Sequence, residues 1–120
     1  MACRDTHKAS QAKEDIIKQV NFEGHKGSIT IEKLDLSSLK SVRECAFRIL
    51  KRENKINILI NNAGVMMCPK DTTEDGFEMQ MGTNHFGHAL LTLLLLPTII
   101  KSAPSKIINL SSVAHNCKYL

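Results

Sequence analysis

Residues 56–64 read Ile-Asn-Ile-Leu-Ile-Asn-Asn-Ala-Gly, an apolar run that leads directly into an Asn-Asn-Ala-Gly turn. A short continuous apolar run is typical of a strand buried in a parallel sheet. In an open α/β sheet, a ligand binds just beyond the carboxyl ends of such strands. Gly64 would let a ligand approach the backbone, and the asparagines can tie the strand end to its neighbours. The run therefore predicts a buried strand that ends at a binding site.

Helical and strand patterns alternate along the rest of the chain. A strand fragment over residues 1–4 is followed by helix, strand, helix, strand, helix and strand. This alternation predicts an α/β fold with a parallel sheet covered by helices. The predicted helices cover residues 8–21, a segment capped by Ser37 or Ser38, and about 76–101, and the predicted strands cover 28–34, 56–60 and 106–110.

The helices carry apolar stripes at helical spacing, which predict the faces that pack on the sheet. The Gly24–Gly27 segment is predicted to end the first helix, and residues 72–75 to cap the third. The predicted core faces are Ala9, Ala12, Ile16, Ile17 and Val20 on the first helix, and Leu39, Val42, Ala46, Ile49 and Leu50 on the second.

Length and composition indicate one globular domain over residues 1–120 in a reducing compartment. The chain is 42% hydrophobic with a net charge of +4. Its basic residues are interspersed with acids and only 4% of residues are aromatic, which argues against a nucleic-acid partner. Its four cysteines are widely spaced, as structural thiols are. His85 and His88 share a predicted helix face, but no nearby ligand completes a metal set, so no metal site is predicted.

The chain shows no targeting pattern that would place it in a membrane. Polar sequence follows the first four residues, unlike a signal peptide. The apolar stretch from Ala89 to Ile100 is too short to span a bilayer and contains Pro97, so we expect a buried helix. The predicted location is cytoplasmic.

Seven segments together resemble the short-chain dehydrogenase/reductase family, and most of all its retinol dehydrogenase branch. Each segment alone is weak, but they occur in the family's order over essentially the whole chain. They are Ala2-Cys-Arg-Asp5, Leu34-Asp-Leu36, Asn61-Asn-Ala-Gly-Val-Met-Met67, Asp75-Gly-Phe-Glu78, Asn84-His-Phe-Gly-His88, Ser102-Ala-Pro-Ser105 and Ile108-Asn-Leu-Ser-Ser-Val-Ala-His115.

The resemblance implies an NADP(H) site. Arg4 matches a residue that can pair with a 2′-phosphate, although a surface arginine without a ligand is the alternative. Asp35 matches an acid that accepts from the adenine amino group, with Leu36 supplying backbone contact; a plain helix-capping acid is the alternative. The turn that passes beneath the ribose and nicotinamide matches Asn61, Asn62, Ala63 and Gly64; the alternative is a generic strand-to-loop turn.

Two catalytic residues are implied in the same way. Asn84 matches the family's asparagine that opens a helix backbone to hold a proton-relay water; a satisfied core amide is the alternative. Ser112 matches the serine that hydrogen-bonds the substrate oxygen, whereas Ser111 has no such role. Met66 and Met67 could line an apolar substrate pocket, or simply pack in the core.

Two parts of the family pattern are expected to fall outside these residues. The Gly-rich first strand–helix unit would precede Met1, and the Tyr-x-x-x-Lys pair would follow Leu120, because no lysine follows Tyr119. In the family's strand order, 3-2-1-4-5-6-7, the missing first strand lies between the second and the fourth. We therefore expect a partial Rossmann-like, doubly wound sheet of strands 2–5. It should either have a gap or pair its fourth strand with residues 1–4.

The resemblance implies an NADP(H)-dependent oxidoreductase of retinol-like or other lipophilic alcohols and carbonyls in complete form. The 120 residues alone are expected to be inactive. Complete relatives can be anchored at the endoplasmic reticulum membrane. The alternative is a non-catalytic product that associates with full-length relatives, as a homo- or heterodimer, through the helix at 76–101, using Leu91 and Leu93 to Leu96.

Overall fold

Short parallel strands and longer helices alternate in the structure, a computed structural model that describes residues 1–22 and 27–116. The predicted end of the first helix falls largely outside the described residues. The other predicted elements are present, with shifted ends. They are β1 (Ala2–Cys3), α1 (Thr6–Phe22), β2 (Glu32–Lys33), α2 (Leu39–Arg52), β3 (Ile58–Asn61), α3 (Met79–Lys101) and β4 (Lys106–Asn109), followed by a 3-10 turn at Val113–Asn116.

Side-chain caps decide where the first two helices begin. The Asp5 carboxylate accepts hydrogen bonds from the backbone N–H groups of His7 and Lys8, at 3.0 Å each, so α1 begins two residues before the predicted start. These bonds lower the pKa of Asp5. At α2 the predicted cap is confirmed, because the Ser38 hydroxyl accepts from the N–H of Ser41 at 3.1 Å.

The predicted cap of the third helix is wrong. Helix α3 begins at Met79, where the Glu78 carboxylate accepts from the N–H groups of Gln80 and Met81 at 2.9 and 2.7 Å, which lowers the pKa of Glu78. The acids predicted to cap it instead reach the start of α2, where Asp75 accepts from the N–H of Leu39 at 2.8 Å. Glu74 also bonds Ser38 there.

The strands form two separate parallel pairs, β1 with β2 and β3 with β4. Ala2 lies opposite Glu32 in the first pair, and Ile58 to Asn61 lie opposite Lys106 to Asn109 in the second. The expected gap between β1 and β3 is therefore present, and in the described residues β3 does not pair with residues 1–4. The strand predicted over 28–34 is reduced to two residues.

One apolar core joins α2, α3 and the loop after β2. Buried Val42, Cys45 and Ala46 of α2 pack with Leu91, Leu95 and Ile99 of α3 and with Leu34 and Leu36. Burial raises the pKa of the Cys45 thiol, as expected of a structural cysteine. Leu59 and Ile107 pack against the same core from β3 and β4.

Three residues of the predicted helical core faces are exposed instead, namely Ala12, Ile16 and Leu50. The prediction of a buried strand at 56–60 is also wrong in part, because Ile58 and Ile60 are 59% and 58% exposed. Leu50 lies outside the core, and Cys45 takes a place on the buried face of α2. Among the α1 side chains from Thr6 to Val20, which are those that the structure describes, Ala9 alone is buried, and Ile16 is 41% exposed. The two-residue strands β1 and β2 offer α1 little sheet to cover, so most of its apolar stripe has no partner.

A cluster of ionic contacts ties β2 to α2. The Glu32 carboxylate accepts from Arg48 Nε at 3.0 Å and pairs with Arg52. The hydrogen bond from Arg48, followed by that from Arg52, lowers the pKa of Glu32. Arg48 also donates to the Lys33 carbonyl at 2.7 Å, so this one side chain of α2 bonds both residues of β2.

Helix α3 begins three residues after the predicted start at 76 and ends at Lys101, as predicted. It is continuous over 23 residues and, by length and composition alone, could cross a membrane. The prediction of a segment too short to span a bilayer concerned only the apolar stretch from Ala89 to Ile100, whereas the helix that passes this test begins ten residues earlier, at Met79. Leu91, Leu95 and Ile99 nevertheless pack one face of α3 into the core, so the described contacts are those of a core helix.

Helix α3 approaches the loop after β2 so closely that only glycine fits at Gly87. A Cβ atom there would lie 2.4 Å from the Leu36 carbonyl oxygen and 2.9 Å from Leu36 Cβ. The carbonyl group belongs to the backbone of Leu36. An added methyl group would therefore have to push the loop after β2 away from the helix.

We predict that Gly87→Ala lowers the free energy of unfolding by about 1–3 kcal/mol, the usual cost of overpacking. Urea unfolding followed by circular dichroism measures the change. Gly27→Ala is the matched control, because no atom lies within 4 Å of an added Cβ there. Equal stability of the two variants would contradict the packing described.

Candidate functional site

A cavity of about 1170 Å³ opens at the carboxyl ends of β3 and β4 and against the first turns of α3. Its position agrees with the rule that ligands bind beyond the carboxyl ends of parallel strands. Its lining combines amide, hydroxyl and imidazole groups with apolar side chains. The lining residues used below are Asn61 to Met67, Asn84, His85, His88, Thr92, Leu93, Asn109, Leu110, Ser111 and Ser112.

Two asparagines join the strand ends at the cavity floor. Asn61, only 5% exposed, donates from Nδ2 to Asn109 Oδ1 at 2.8 Å and to Thr92 Oγ1 at 3.0 Å. Asn109 lies opposite Asn61 in the register. Neither Asn109 nor Thr92 was predicted from the sequence. The Ile-Asn pair that ends both β3 and β4 could have indicated Asn109. Asn61 Oδ1 is buried without a hydrogen-bond partner among the described residues.

The Asn84 amide holds the turn that follows Gly64. Its Oδ1 accepts from the N–H of Val65 and its Nδ2 donates to the carbonyl of Val65, both at 2.8 Å. A Cβ added to Gly64 would lie 3.5 Å from Asn84 Oδ1. The side chain thus satisfies both backbone groups of Val65, which would otherwise need other partners. The alternative prediction for Asn84 was an amide whose hydrogen bonds are satisfied in the core. Its hydrogen bonds are indeed satisfied, but by the turn at Val65 and not by the core.

The helix backbone is also widened at Asn84. Residues Gly82–Phe86 form a π-helical turn inside α3, with the N–H of Gly87 donating to the carbonyl of Gly82. Single π-turns inside α-helices are frequent at functional sites. The Asn84 carbonyl lies 3.0 Å from His88 Nδ1. Because a carbonyl only accepts, His88 must carry a proton on Nδ1 in this contact.

Ser112 lies on the wall of the same cavity as the turn that Asn84 holds. Its Oγ accepts from the N–H of Ala114 at 3.2 Å, at the start of the 3-10 turn. This leaves the hydroxyl proton free to be donated to an oxygen atom in the cavity. Ser111 also lines the cavity.

Apolar and imidazole side chains complete the lining. Met66 and Met67 are 66% and 86% exposed, so pocket lining is confirmed for this pair and core packing is wrong. Met67 adopts a φ of 54°, the left-handed region that side chains rarely occupy. His85 and His88 also line the cavity. Residues 1–22 and 27–116 contain no group of three His, Cys, Asp or Glu side chains that could hold a metal ion.

The structure does not bring the three predicted cofactor residues nearest the N-terminus to this cavity. Arg4 is exposed just after β1. The Asp35 carboxylate accepts from the N–H and hydroxyl of Ser37, at 2.9 and 2.6 Å, and so stabilises the turn before α2. Leu36 is buried in the core, with its carbonyl against Gly87.

A model of the short chain dehydrogenase family matches residues 4–119. The chain belongs to this family. It is 56% identical over 115 residues to human Retinol dehydrogenase 13, covering 96% of this chain and 34% of that protein. It therefore spans about a third of the length of that relative.

Two solved structures support the fold of this short-chain dehydrogenase. An uncharacterized protein from Mycobacterium Paratuberculosis is 39% identical, with a TM-score of 0.74, covering 96% of this chain and 37% of that one. NADPH-bound carbonyl reductase from chicken fatty liver is 25% identical, with a TM-score of 0.69, covering 99% and 50%. The predicted family and the partial Rossmann-like α/β fold are thus confirmed.

We predict that Asn84→Leu speeds amide hydrogen exchange at Val65 by about five- to tenfold, because it removes the acceptor of a hydrogen bond worth about 1–1.5 kcal/mol. Gln80→Leu is the matched control and should exchange at the parent rate, because Gln80 also lines the cavity but its side chain makes no hydrogen bond to Val65 in the described part of the chain. Exchange measured by NMR separates the two. If both variants exchange at the parent rate, Asn84 does not hold the turn.

Proposed function

We propose that this chain is part of an NADP(H)-dependent oxidoreductase that interconverts retinol and retinal or other lipophilic alcohols and carbonyls. The observation that carries the proposal is that the 61–64 turn, Asn84 and Ser112 share one cavity whose remaining lining is rich in apolar side chains. The names of the relatives support the substrate class and one neighbour's bound NADPH supports the cofactor. A cytoplasmic location remains part of the proposal.

The turn residues fit the nicotinamide end of such a cofactor. Asn62, Ala63 and Gly64 are exposed on the cavity wall, so a flat ring could lie against their backbone. Arg4 would pair with the 2′-phosphate, and Asp35 and Leu36 would contact the adenine. When bound, the nicotinamide supplies or accepts the hydride.

The chain's own residues would position the substrate. Ser112 would donate its hydroxyl proton to the substrate oxygen, because its Oγ already accepts from Ala114 and its proton is free. Asn84 would act through the turn, because its amide bonds both backbone groups of Val65. The Met66 and Met67 side chains would receive the apolar part of the substrate.

These 120 residues contain neither a Gly-rich phosphate turn nor a Tyr-x-x-x-Lys pair, so we expect no turnover from them alone. The chain should not oxidise NADPH in the presence of retinal above a no-protein control. A measurable rate would contradict this part of the proposal.

The proposed activity is tested by exchanging the matched 115 residues of human Retinol dehydrogenase 13 for those of this chain. We predict that the chimera reduces retinal with NADPH and that Ser112→Ala lowers kcat by about 10²–10³, as expected for a lost oxyanion donor. Ser111→Ala is the matched control and should stay near the parent rate. A folded but inactive chimera, or equal losses in both variants, would contradict the proposal.

A second candidate, association with full-length relatives as a homo- or heterodimer, is favoured by an apolar stripe on α3. Leu93 and Ile100 are each 64% exposed and lie two helical turns apart, with Leu96 and Pro97 between them. Leu91 and Leu95, which the sequence suggested as contacts, are buried in the core and cannot serve.

For this candidate, the chain should co-purify with human Retinol dehydrogenase 13, and the double change Leu93→Glu and Ile100→Glu should abolish capture, since it places charge on the stripe. Phe47→Glu, an equally exposed apolar position on α2, is the control and should leave capture intact. Capture that survives the double change would rule out this surface.

A further inference from the structure

The loop over residues 71–78, just before α3, is closed by its own hydrogen bonds; we call it the acidic loop. Thr72 and Glu78 form an isolated antiparallel bridge. Within this bridge, the N–H of Thr73 donates to the Phe77 carbonyl at 2.8 Å. Thr73 Oγ1 in turn accepts from the N–H of Phe77 at 3.2 Å. These bonds hold the acidic loop together as one unit.

One side of the acidic loop is bonded to the start of α2. The Asp75 carboxylate accepts from the N–H of Leu39, the first residue of α2, at 2.8 Å. Glu74 bonds the hydroxyl of Ser38, which itself caps the same helix. A carboxylate at a helix N-terminus satisfies a backbone donor that has no partner within the helix, and it interacts favourably with the helix dipole. The two acids therefore fix the acidic loop against the N-terminus of α2.

The other side of the acidic loop packs against the π-helical turn of α3. Thr73 is only 5% exposed. A Cβ added to Gly82, the first residue of the turn, would lie 2.5 Å from Thr73 Cγ2 and 3.2 Å from Phe77 Cβ. The ring centroids of Phe77 and Phe86, the last residue of the turn, are 4.5 Å apart. The acidic loop thus contacts both ends of the turn that contains Asn84.

Asn84 extends these contacts to the cavity. Its amide bonds both backbone groups of Val65, so the position of the π-helical turn sets the position of the turn that follows Gly64. An unbroken series of contacts consequently joins the start of α2 to the cavity wall, and the acidic loop is its central part.

We propose that Asp75 and Glu74 are positioning residues of the candidate site. By holding the acidic loop on α2, they keep the π-helical turn in place and Asn84 in contact with Val65. Neither acid is among the described residues that line the cavity, so both act through Asn84 and not on a ligand. The inference rests on the proposed function where it takes the turn at Val65 to be part of the nicotinamide wall.

Amide hydrogen exchange at Val65, measured by NMR on the full chain without ligand, tests this series of contacts. Asp75→Ala should speed the exchange about two- to fivefold, as expected for a lost helix cap. Asp75→Asn keeps an acceptor for the N–H of Leu39 and should exchange at nearly the parent rate. The matched control is Asp5→Ala, which removes the carboxylate cap of α1 and should leave exchange at Val65 unchanged. Parent-rate exchange in Asp75→Ala, or equal changes in Asp75→Ala and Asp5→Ala, would overturn the proposal.

A double change separates positioning from a general loosening of the fold. If Asp75 acts through Asn84, the chain with both Asp75→Ala and Asn84→Leu should exchange at Val65 no faster than Asn84→Leu alone. Effects of the two changes that multiply would show that Asp75 stabilises the fold by another route, and the proposal would be wrong.

Thr73→Ser tests the contact with α3 independently and keeps the test decisive if Asp75→Ala does not fold. The change retains Oγ1 for the N–H of Phe77 but removes the methyl group that lies against Gly82. It should speed exchange at Val65 about two- to fourfold, the effect expected of one lost buried methyl group. An unchanged rate would show that the acidic loop does not hold the π-helical turn.

These exchange measurements need no ligand, so they separate the inference from the function on which it rests. If the chain does not bind reduced nicotinamide mononucleotide, the proposed function fails, and the exchange rates still decide whether the acidic loop positions Val65. If the chain binds this ligand but Asp75→Ala exchanges at the parent rate, the proposed function stands and the positioning role of Asp75 is wrong.

Discussion

Parallel pairing of β3 with β4 in one register is the interaction on which the cavity depends. The pairing sets Asn61 opposite Asn109, and their side chains close the floor where the strands end. It also brings the turn after β3 and the serines after β4 to one edge of the sheet. A shift of one residue would turn Leu59 and Ile107 out of the core and expose the buried Asn61 amide, so the core and the site select the same register.

Helix α3 forms one wall of the cavity at this edge of the sheet. Its C-terminal part is anchored in the core by Leu91, Leu95 and Ile99, and its close approach at Gly87 fixes its distance from Leu36. The widened turn at Gly82–Phe86 lies where the helix leaves the core and reaches the cavity. Anchoring at one end allows Asn84, at the other, to hold the backbone at Val65.

Apolar periodicity and turn chemistry predicted the order of the elements and a cap at Ser37 or Ser38, whereas the division of the sheet was implied by the family resemblance. Residues 61–64, Asn84 and Ser112 were matched to one site by resemblance, and they do share one cavity. The pairing of Asn84 with Val65 could not be predicted, because it joins residues 19 positions apart through the path of a helix. The exposure of Ile16 could not be predicted either. An apolar stripe on a helix does not show how large a sheet is available to cover it, and β1 and β2 have only two residues each.

We propose that the strand ends and α3 form the nicotinamide wall of a cofactor site within these residues. Titration of the ¹⁵N-labelled chain with reduced nicotinamide mononucleotide tests it most directly. We predict amide shift changes at Asn62, Ala63, Gly64 and Ser112, with Arg4 and Asp35 unaffected because this ligand lacks the adenine and its 2′-phosphate. Shift changes confined to residues outside this cavity, or none at saturating ligand, would contradict the proposed nicotinamide site.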